Sequence, residues 1–366
     1  MFIELHLIQN FAPSNLNRDD TNNPKDCEFG GVRRARISSQ CIKRAVRLEP
    51  VFSDTTKVLP AERTRWLSLE IKKKLIEMGK PEEAAHEKAV AFVSELLGGM
   101  DGANKERSKV LFFISEEEKN QIADLIEKNW DELNDTKYAE LKKEYVKSFE
   151  NRSSAPDIAL FGRMLADDPK LSMDAACQVA HAISTHRVNM EVDFFTAVDD
   201  LLAEEKSGAG MMGVTGFNSA CFYRYSCVEW DQLVSNLGGS ADLARKTVEG
   251  FLRASVLAVP TGKQTGFAAQ NLPSFVMAVV RDNGACWSLA NAFEKPIRTD
   301  HSHGLVENSI KALDAYWGNL KRVYGGGQFV AVLSLDQELT LENLKGFLHD
   351  NMDAWVSAVT DKLPKV

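Results

Sequence analysis

Between Phe29 and Leu48 the chain carries six basic side chains, Arg33, Arg34, Arg36, Lys43, Arg44 and Arg47, and no acidic one. Ser38 and Ser39 offer N-caps for a helix running to about Arg47. On that helix Ile42, Ala45 and Val46 share one face, while Gln40, Lys43, Arg44 and Arg47 share the other at i, i+3, i+4, i+7 spacing. A cationic face, free amides at a helix start and two hydroxyls are together the chemistry of phosphate binding. Gly30 and Gly31 just upstream would let a backbone approach closely. A solvated amphipathic helix with no ligand has the same pattern, so composition alone leaves both readings open.

Other residues could do chemistry of a different kind. Asp19, Asp20 and Asp26, in a loop rich in Asn, Asp and Gly from Pro13 to Gly31, are carboxylates that could recruit Mg²⁺. His181 and His186 are five apart, which does not stack them as a metal pair on a helix, so they read as structural histidines. Asp199 and Asp200 read as a turn or a subunit salt bridge. Lys137, Lys142, Lys143 and Lys147 form a basic set that would suit either solvent or DNA. The six cysteines show no Cys-x-x-Cys spacing and suggest reduced thiols, and no phosphate loop, nucleophile elbow or His-Glu metal motif is present.

The elements that must hold these residues belong to a chain of 366 residues, enough for one elaborated domain or two to three smaller ones. A net charge of −8 argues against general nucleic-acid affinity and makes the basic run a local anion site on an acidic protein. No stretch reaches the ~18 apolar residues of a membrane span, and the opening MFIELHLIQNF does not read as a signal peptide, so a cytoplasmic protein is expected.

Ile3, Leu5 and Leu7 alternate with Glu4 and His6, predicting a half-buried first strand. Residues 49 to 187 carry helical spacing, with Tyr138, Leu141, Tyr145 and Phe149 on one face, and read as a helical insertion. Strand text at Asn189 to Val198 and Phe217 to Trp230, separated by the flexible run EEKSGAGMMGVTG, predicts an extended hairpin with a mobile tip. Helices near Leu243 to Leu257 and Val306 to Leu320, strands at Phe275 to Arg281 and Gln328 to Leu335, and a terminal helix marked by Leu341, Leu344, Leu348, Trp355 and Val359 complete an α+β plan.

The string SNLNRDDTNNPKDCEFGGVRRARISSQCIKRA, residues 14 to 45, closely resembles the opening of the CasC family, the backbone subunits of CRISPR type I-E Cascade complexes in the RAMP superfamily. The resemblance continues in DIALFGRM (157 to 164), AHAISTHRV and DFFTAVDDL (180 to 201), CFYRY (221 to 225) and LANAFEKPIR (289 to 298), and is faint between about 49 and 150 and within the hairpin tip. It implies a palm of RNA-recognition-motif, ferredoxin-like type (1–48 and 226–366), helical fingers (49–187) and a β-hairpin thumb (188–225).

The resemblance further implies that Asn17, Arg18, Lys25, Ser38, Gln40, Lys43, Arg44 and Arg47 contact the crRNA backbone, with Lys295 and Arg298 adding to them. Phe194, Phe195, Thr196 and Val198 match a thumb wedge that displaces a nucleotide at regular intervals, although a hairpin core would use the phenylalanines too. Met164 matches a residue packed against guide bases; by itself a Met in an apolar helix fills core. The lysines from Lys137 to Lys147 could guide target DNA. The implied partners are crRNA, the complementary target DNA strand, further copies of the chain in a helical filament, and CasA, CasB, CasD and CasE types of subunit, with no cofactor, metal or membrane. The expected function is non-catalytic assembly on the guide for antiviral defense. The alternative is a guide-directed, metal-dependent ribonuclease of the type III backbone kind, using an aspartate such as Asp26.

Overall fold

The computed structural model describes residues 1–165, 168–198 and 209–365, the strand residues 197, 198 and 209–212 by their backbone alone. The chain opens with β1 (Phe2–Ser14), the hairpin β2 (Asp26–Phe29) and β3 (Val32–Ile37), then α1 (Ser39–Leu48) and α2 (Pro50–Thr56). A mainly helical stretch follows, made of β4 (Glu62–Thr64), α3 (Leu67–Glu77), α4 (Glu82–Leu96), β5 (Phe112–Ile114), α5 (Glu116–Lys128), α6 (Asp135–Phe149) and α7 (Pro156–Phe161). Then come β6 (Cys177–Val179), β7 (Ala182–Ser184), β8 (Glu191–Val198) and β9 (Ala209–Glu229), followed by α8 (Trp230–Asn236), α9 (Ala241–Leu257) and α10 (Gln264–Phe267). The chain ends with β10 (Phe275–Arg281), α11 (Leu305–Tyr324), β11 (Phe329–Ser334) and α12 (Met352–Thr360). No helix among the described residues is long and apolar enough to cross a membrane.

Two compact units result. The first, residues 1–52, 179–227 and 251–363, is built on a sheet of order β11-β10-β1-β9-β7-β3-β2. β1 pairs antiparallel with β10 from Phe2↔Arg281 to Ile8↔Phe275, and β10 pairs antiparallel with β11. The fold is mixed α/β on antiparallel strands.

β1 departs from the half-buried strand expected of its alternation, because Glu4 and His6 are as fully buried as Ile3 and Leu5. Residues of α11, including Ile310, Leu313 and Trp317, pack with Ile8, Met277 and Val279 on one side of the sheet, and α12 packs on β10 and β11. With both faces covered, the polar side chains find partners inside. Glu4 is paired with Arg281 at 2.7 Å, and His6 Nδ1 lies 2.9 Å from the Tyr223 hydroxyl.

The terminal helix is also shorter than its apolar spacing predicts. Asn351 caps α12, and the stretch before it is pinned as a loop because the Asp314 carboxylate accepts from the backbone amides of Glu342 and Asn343. Leu341 and Leu344 still reach the core against α11, from loop positions.

The second unit, residues 53–178, 228–250 and 364–366, has its own core of Leu67, Ile71, Phe92, Ile122, Ile126, Tyr145 and Phe149. Tyr138, Leu141, Tyr145 and Phe149 form the buried face of α6. Glu118, in the capping box of α5, accepts from the Ser115 amide, the Tyr145 hydroxyl and Arg163. The two buried charges are tolerated because they pair with each other and each takes further hydrogen bonds.

Candidate nucleic-acid interface

α1 starts at Ser39 with Ser38 as its N-cap, and the sequence around it folds as a cap followed by an amphipathic turn pattern, burying Ile42 and Val46. The amides at its start are less available than the sequence suggests. The Cys41 amide donates to Ser38 Oγ at 3.3 Å, and the Ser39 amide donates to His181 Nδ1 at 3.3 Å. Ser38 itself is buried, its own amide donating to Asn17 Oδ1 at 2.8 Å. His181 also meets Arg36, 3.2 Å away, and its pKa is lowered, first by burial and then by the charges of Arg36 and Lys25. His186 makes separate bonds, to the Arg187 carbonyl and the Cys221 amide.

The run of six basic residues divides into two kinds. Arg34 is fully buried and donates to the carbonyls of Phe29, Ser184, Phe293 and Glu294, so it is a structural rivet and no anion ligand. Arg47, expected on the cationic face, is buried as well, because the α1 surface that meets the protein is wider than the apolar stripe. Arg33 is exposed but ion-paired with Asp26. Gln40 and Arg44 stay exposed, with Lys43 partly so.

Arg18 and Arg44 face a groove of about 490 Å³ whose wall also includes Leu16, Asn17, Asp19, Cys41, Leu48 and the loop Val259–Gly262. Lys25 adds charge nearby, since its field is felt at Asp19, Cys41 and His181. The loop is a wall that the sequence reading missed. Its next residue, Lys263, has φ of +53°, a left-handed conformation uncommon for a residue other than glycine. Pro-Thr-Gly marks a turn in sequence, but nothing in it tells which loop the turn meets. A Cβ at Gly262 would collide with the Leu16 carbonyl, so only glycine lets the two segments close together.

The carboxylates of the same loop are engaged locally. Asp19 accepts from the Thr21 amide and hydroxyl and from the Asn23 amide, and the Thr21 hydroxyl bond leads the set that lowers its pKa. Asp26 is held by Arg33, and Asp20 is exposed.

β8 and β9 form an antiparallel hairpin, from Glu191↔Phe217 to Val198↔Ala209. Strand pairing extends back to Ala209, through much of the run expected to be flexible, because cross-strand partners hold it. Val192, Phe194 and Val214 are all more than half exposed and make one apolar face. Phe195 points to the other face, its ring lying over Gly213. Thr196 is exposed; the tip, with Asp199 and Asp200, lies outside the described residues. Lys295 and Arg298 are exposed in the loop that Arg34 holds through Phe293 and Glu294.

The remaining expected residues belong to the second unit. Met164 is 89% exposed, not core filling, on a segment fixed by the neighbouring Arg163, which donates to the Leu171 and Phe113 carbonyls. Lys137 is ion-paired with Glu132 and Glu140, and Lys142 with Asp168, whereas Lys143 and Lys147 are exposed.

A family model described as CT1975-like protein matches residues 3–358. No curated protein matches the chain. Among solved structures, a chain of a "CRISPR RNA-guided surveillance complex, pre-nicking" is similar with a TM-score of 0.87 and 32% identity over 100% of both chains. A chain of a second "CRISPR RNA-guided surveillance complex" gives 0.76 and 28% over 99% of each.

Proposed function

As this chain belongs to the CT1975-like protein family, we propose that it is a backbone subunit of a CRISPR RNA-guided surveillance complex of Cascade type. The observation that carries this reading is the likeness to a chain of such a complex over its whole length, at 32% identity. The groove bearing Arg18 and Arg44 supplies the phosphate chemistry that holding a guide requires.

In finer detail the subunit is of the CasC, type I-E kind, with an RNA-recognition-motif palm, helical fingers and the β8–β9 thumb. Copies polymerise along the crRNA spacer in the cytoplasm beside the other Cascade subunits. The apolar thumb face of Val192, Phe194 and Val214 displaces a nucleotide at intervals, leaving short runs of bases to pair with target DNA. The subunit reads backbone and shape, and base pairing reads sequence, so any spacer can be loaded.

The subunit is non-catalytic in this reading. Asp26, the aspartate that a ribonuclease reading would use, is engaged by Arg33, and Asp19 closes its own turn. Incubating the assembled complex with labelled complementary RNA and Mg²⁺ should leave the RNA intact; evenly spaced cuts that vanish in Asp26→Ala would establish the ribonuclease.

The test of the main reading is native mass and ultraviolet absorbance ratio of the protein purified with a guide RNA and companion subunits, with and without nuclease. Several copies co-eluting with a protected guide support it. An RNA-free monomer beside well-expressed partners overturns it.

A further inference from the structure

Asn15 is a buried polar residue that the groove itself does not use. It follows β1, is fully buried, and its side-chain amide donates to the Asn22 carbonyl at 3.0 Å and to the Gly216 carbonyl at 2.8 Å. Asn22 lies in the loop that presents Arg18 and Lys25; Gly216 lies in β9, opposite Val192 of the hairpin. One side chain therefore ties the loop to the stem of the hairpin.

The junction is close on every side. A Cβ at Gly216 would collide with Asn23 Oδ1, and one at Gly262 would meet the carbonyls of Leu16 and Asn15. The loop is stiff in its own right, because the Asp19 amide donates to the Asn23 carbonyl, the Lys25 amide to the Asn17 carbonyl, and the Asp19 carboxylate takes two amides. A stiff loop fixed to a hairpin stem has one place to sit.

We propose that Asn15 is a positioning residue which sets the distance between the phosphate-gripping side chains Arg18 and Lys25 and the apolar thumb face. This rests on the backbone-subunit reading above. A wedge that acts at regular intervals along a strand requires a constant offset between the gripped phosphates and the displaced base, and a buried amide shared by loop and stem provides it. A freely hinged thumb would let the offset drift.

The test is a double-mutant cycle on the full chain with a CRISPR guide RNA, using Asn15→Ala, Arg18→Ala and the pair, with affinity followed across a salt series. Asn15→Ala should weaken binding several-fold and flatten the dependence of log K on log salt by about 0.7 for each phosphate that is no longer gripped. Together with Arg18→Ala it should add little, because both release the same phosphate. A wild-type salt slope in folded Asn15→Ala, or fully additive losses, overturns the proposal.

If Asn15→Ala does not fold, Gly216→Ala decides, since its new methyl displaces Asn23 from the hairpin side. It should flatten the slope in the same way, and an unchanged slope overturns the proposal. Failure of the underlying reading looks different: Arg18→Ala itself would then leave RNA affinity unchanged.

Discussion

Nη2 of Arg34 donates to the Phe293 carbonyl at 2.8 Å, joining β3 to a loop 259 residues away in sequence. The same guanidinium reaches Phe29, Ser184 and Glu294, so one side chain holds the β2–β3 hairpin, β7 and the loop bearing Lys295. Gly30 permits the closeness, since a Cβ there would strike the Glu294 carbonyl.

Arg34→Lys should therefore destabilise the chain although it keeps the charge. A lysine ammonium is compact, with three donors, and cannot serve all four carbonyls, leaving at least one without its donor. We expect a loss of about 2–4 kcal/mol in urea unfolding. A change under about 0.5 kcal/mol would mean that water replaces the guanidinium readily.

Lys43→Glu combined with Arg44→Glu should abolish assembly on guide RNA and leave the monomer folded. Arg44 is exposed and Lys43 partly so, and the core of α1 is carried by Ile42 and Val46. Circular dichroism and a filter-binding titration check the two halves. A folded double variant with wild-type RNA affinity removes α1 from the interface.

Phe194→Ala and Phe195→Ala should separate binding from stability. Phe194 is 61% exposed beside Val192 and Val214, so its removal should leave the melting temperature nearly unchanged and weaken guide RNA binding by about 1–3 kcal/mol. Phe195 covers Gly213, so its removal should loosen the hairpin, read as faster amide exchange in β8 and β9. The reverse pattern would assign the wedge to Phe195.

His6 should make stability fall in acid. Burial, aided by the Arg281 charge, lowers its pKa from 6.5 to about 3, and Glu4, Tyr223, Tyr225 and Arg281 are the ionisable groups around it. Below pH 6.5 the unfolded chain takes up a proton that the folded one refuses. The contribution of His6 is thus complete above pH 6.5 and is lost as pH falls toward 3, with a slope approaching about 1.4 kcal/mol per pH unit. Comparing urea unfolding of wild type and His6→Gln across that window isolates it, since Glu4 is common to both. Parallel curves would show that His6 is protonated in the fold.

Much of the framework is written in local pattern. The apolar spacing of Ile310, Leu313 and Trp317 marks α11, the continuous run at Phe275–Arg281 marks β10, and Ser38 with Ile42 and Val46 marks α1, because periodicity and capping act within a few residues. The cluster of basic residues between Phe29 and Leu48 is likewise plain in the sequence.

What sequence leaves undecided is the fate of each charge within that cluster. Arg34 and Arg44 are alike as letters, yet one is enclosed by four carbonyls and the other faces a groove, since burial depends on segments 150 to 260 residues away. The same holds for Glu4 and His6, whose alternation with Ile3 and Leu5 reads as a solvated face until α11 closes over it. Asn15 looks like any loop asparagine, and only the arrival of Gly216 and Gly262 makes it a junction. Local pattern determines where helices and strands form; desolvation and carbonyl geometry, which arise only once distant segments meet, decide which polar side chains become structure and which remain available to a ligand.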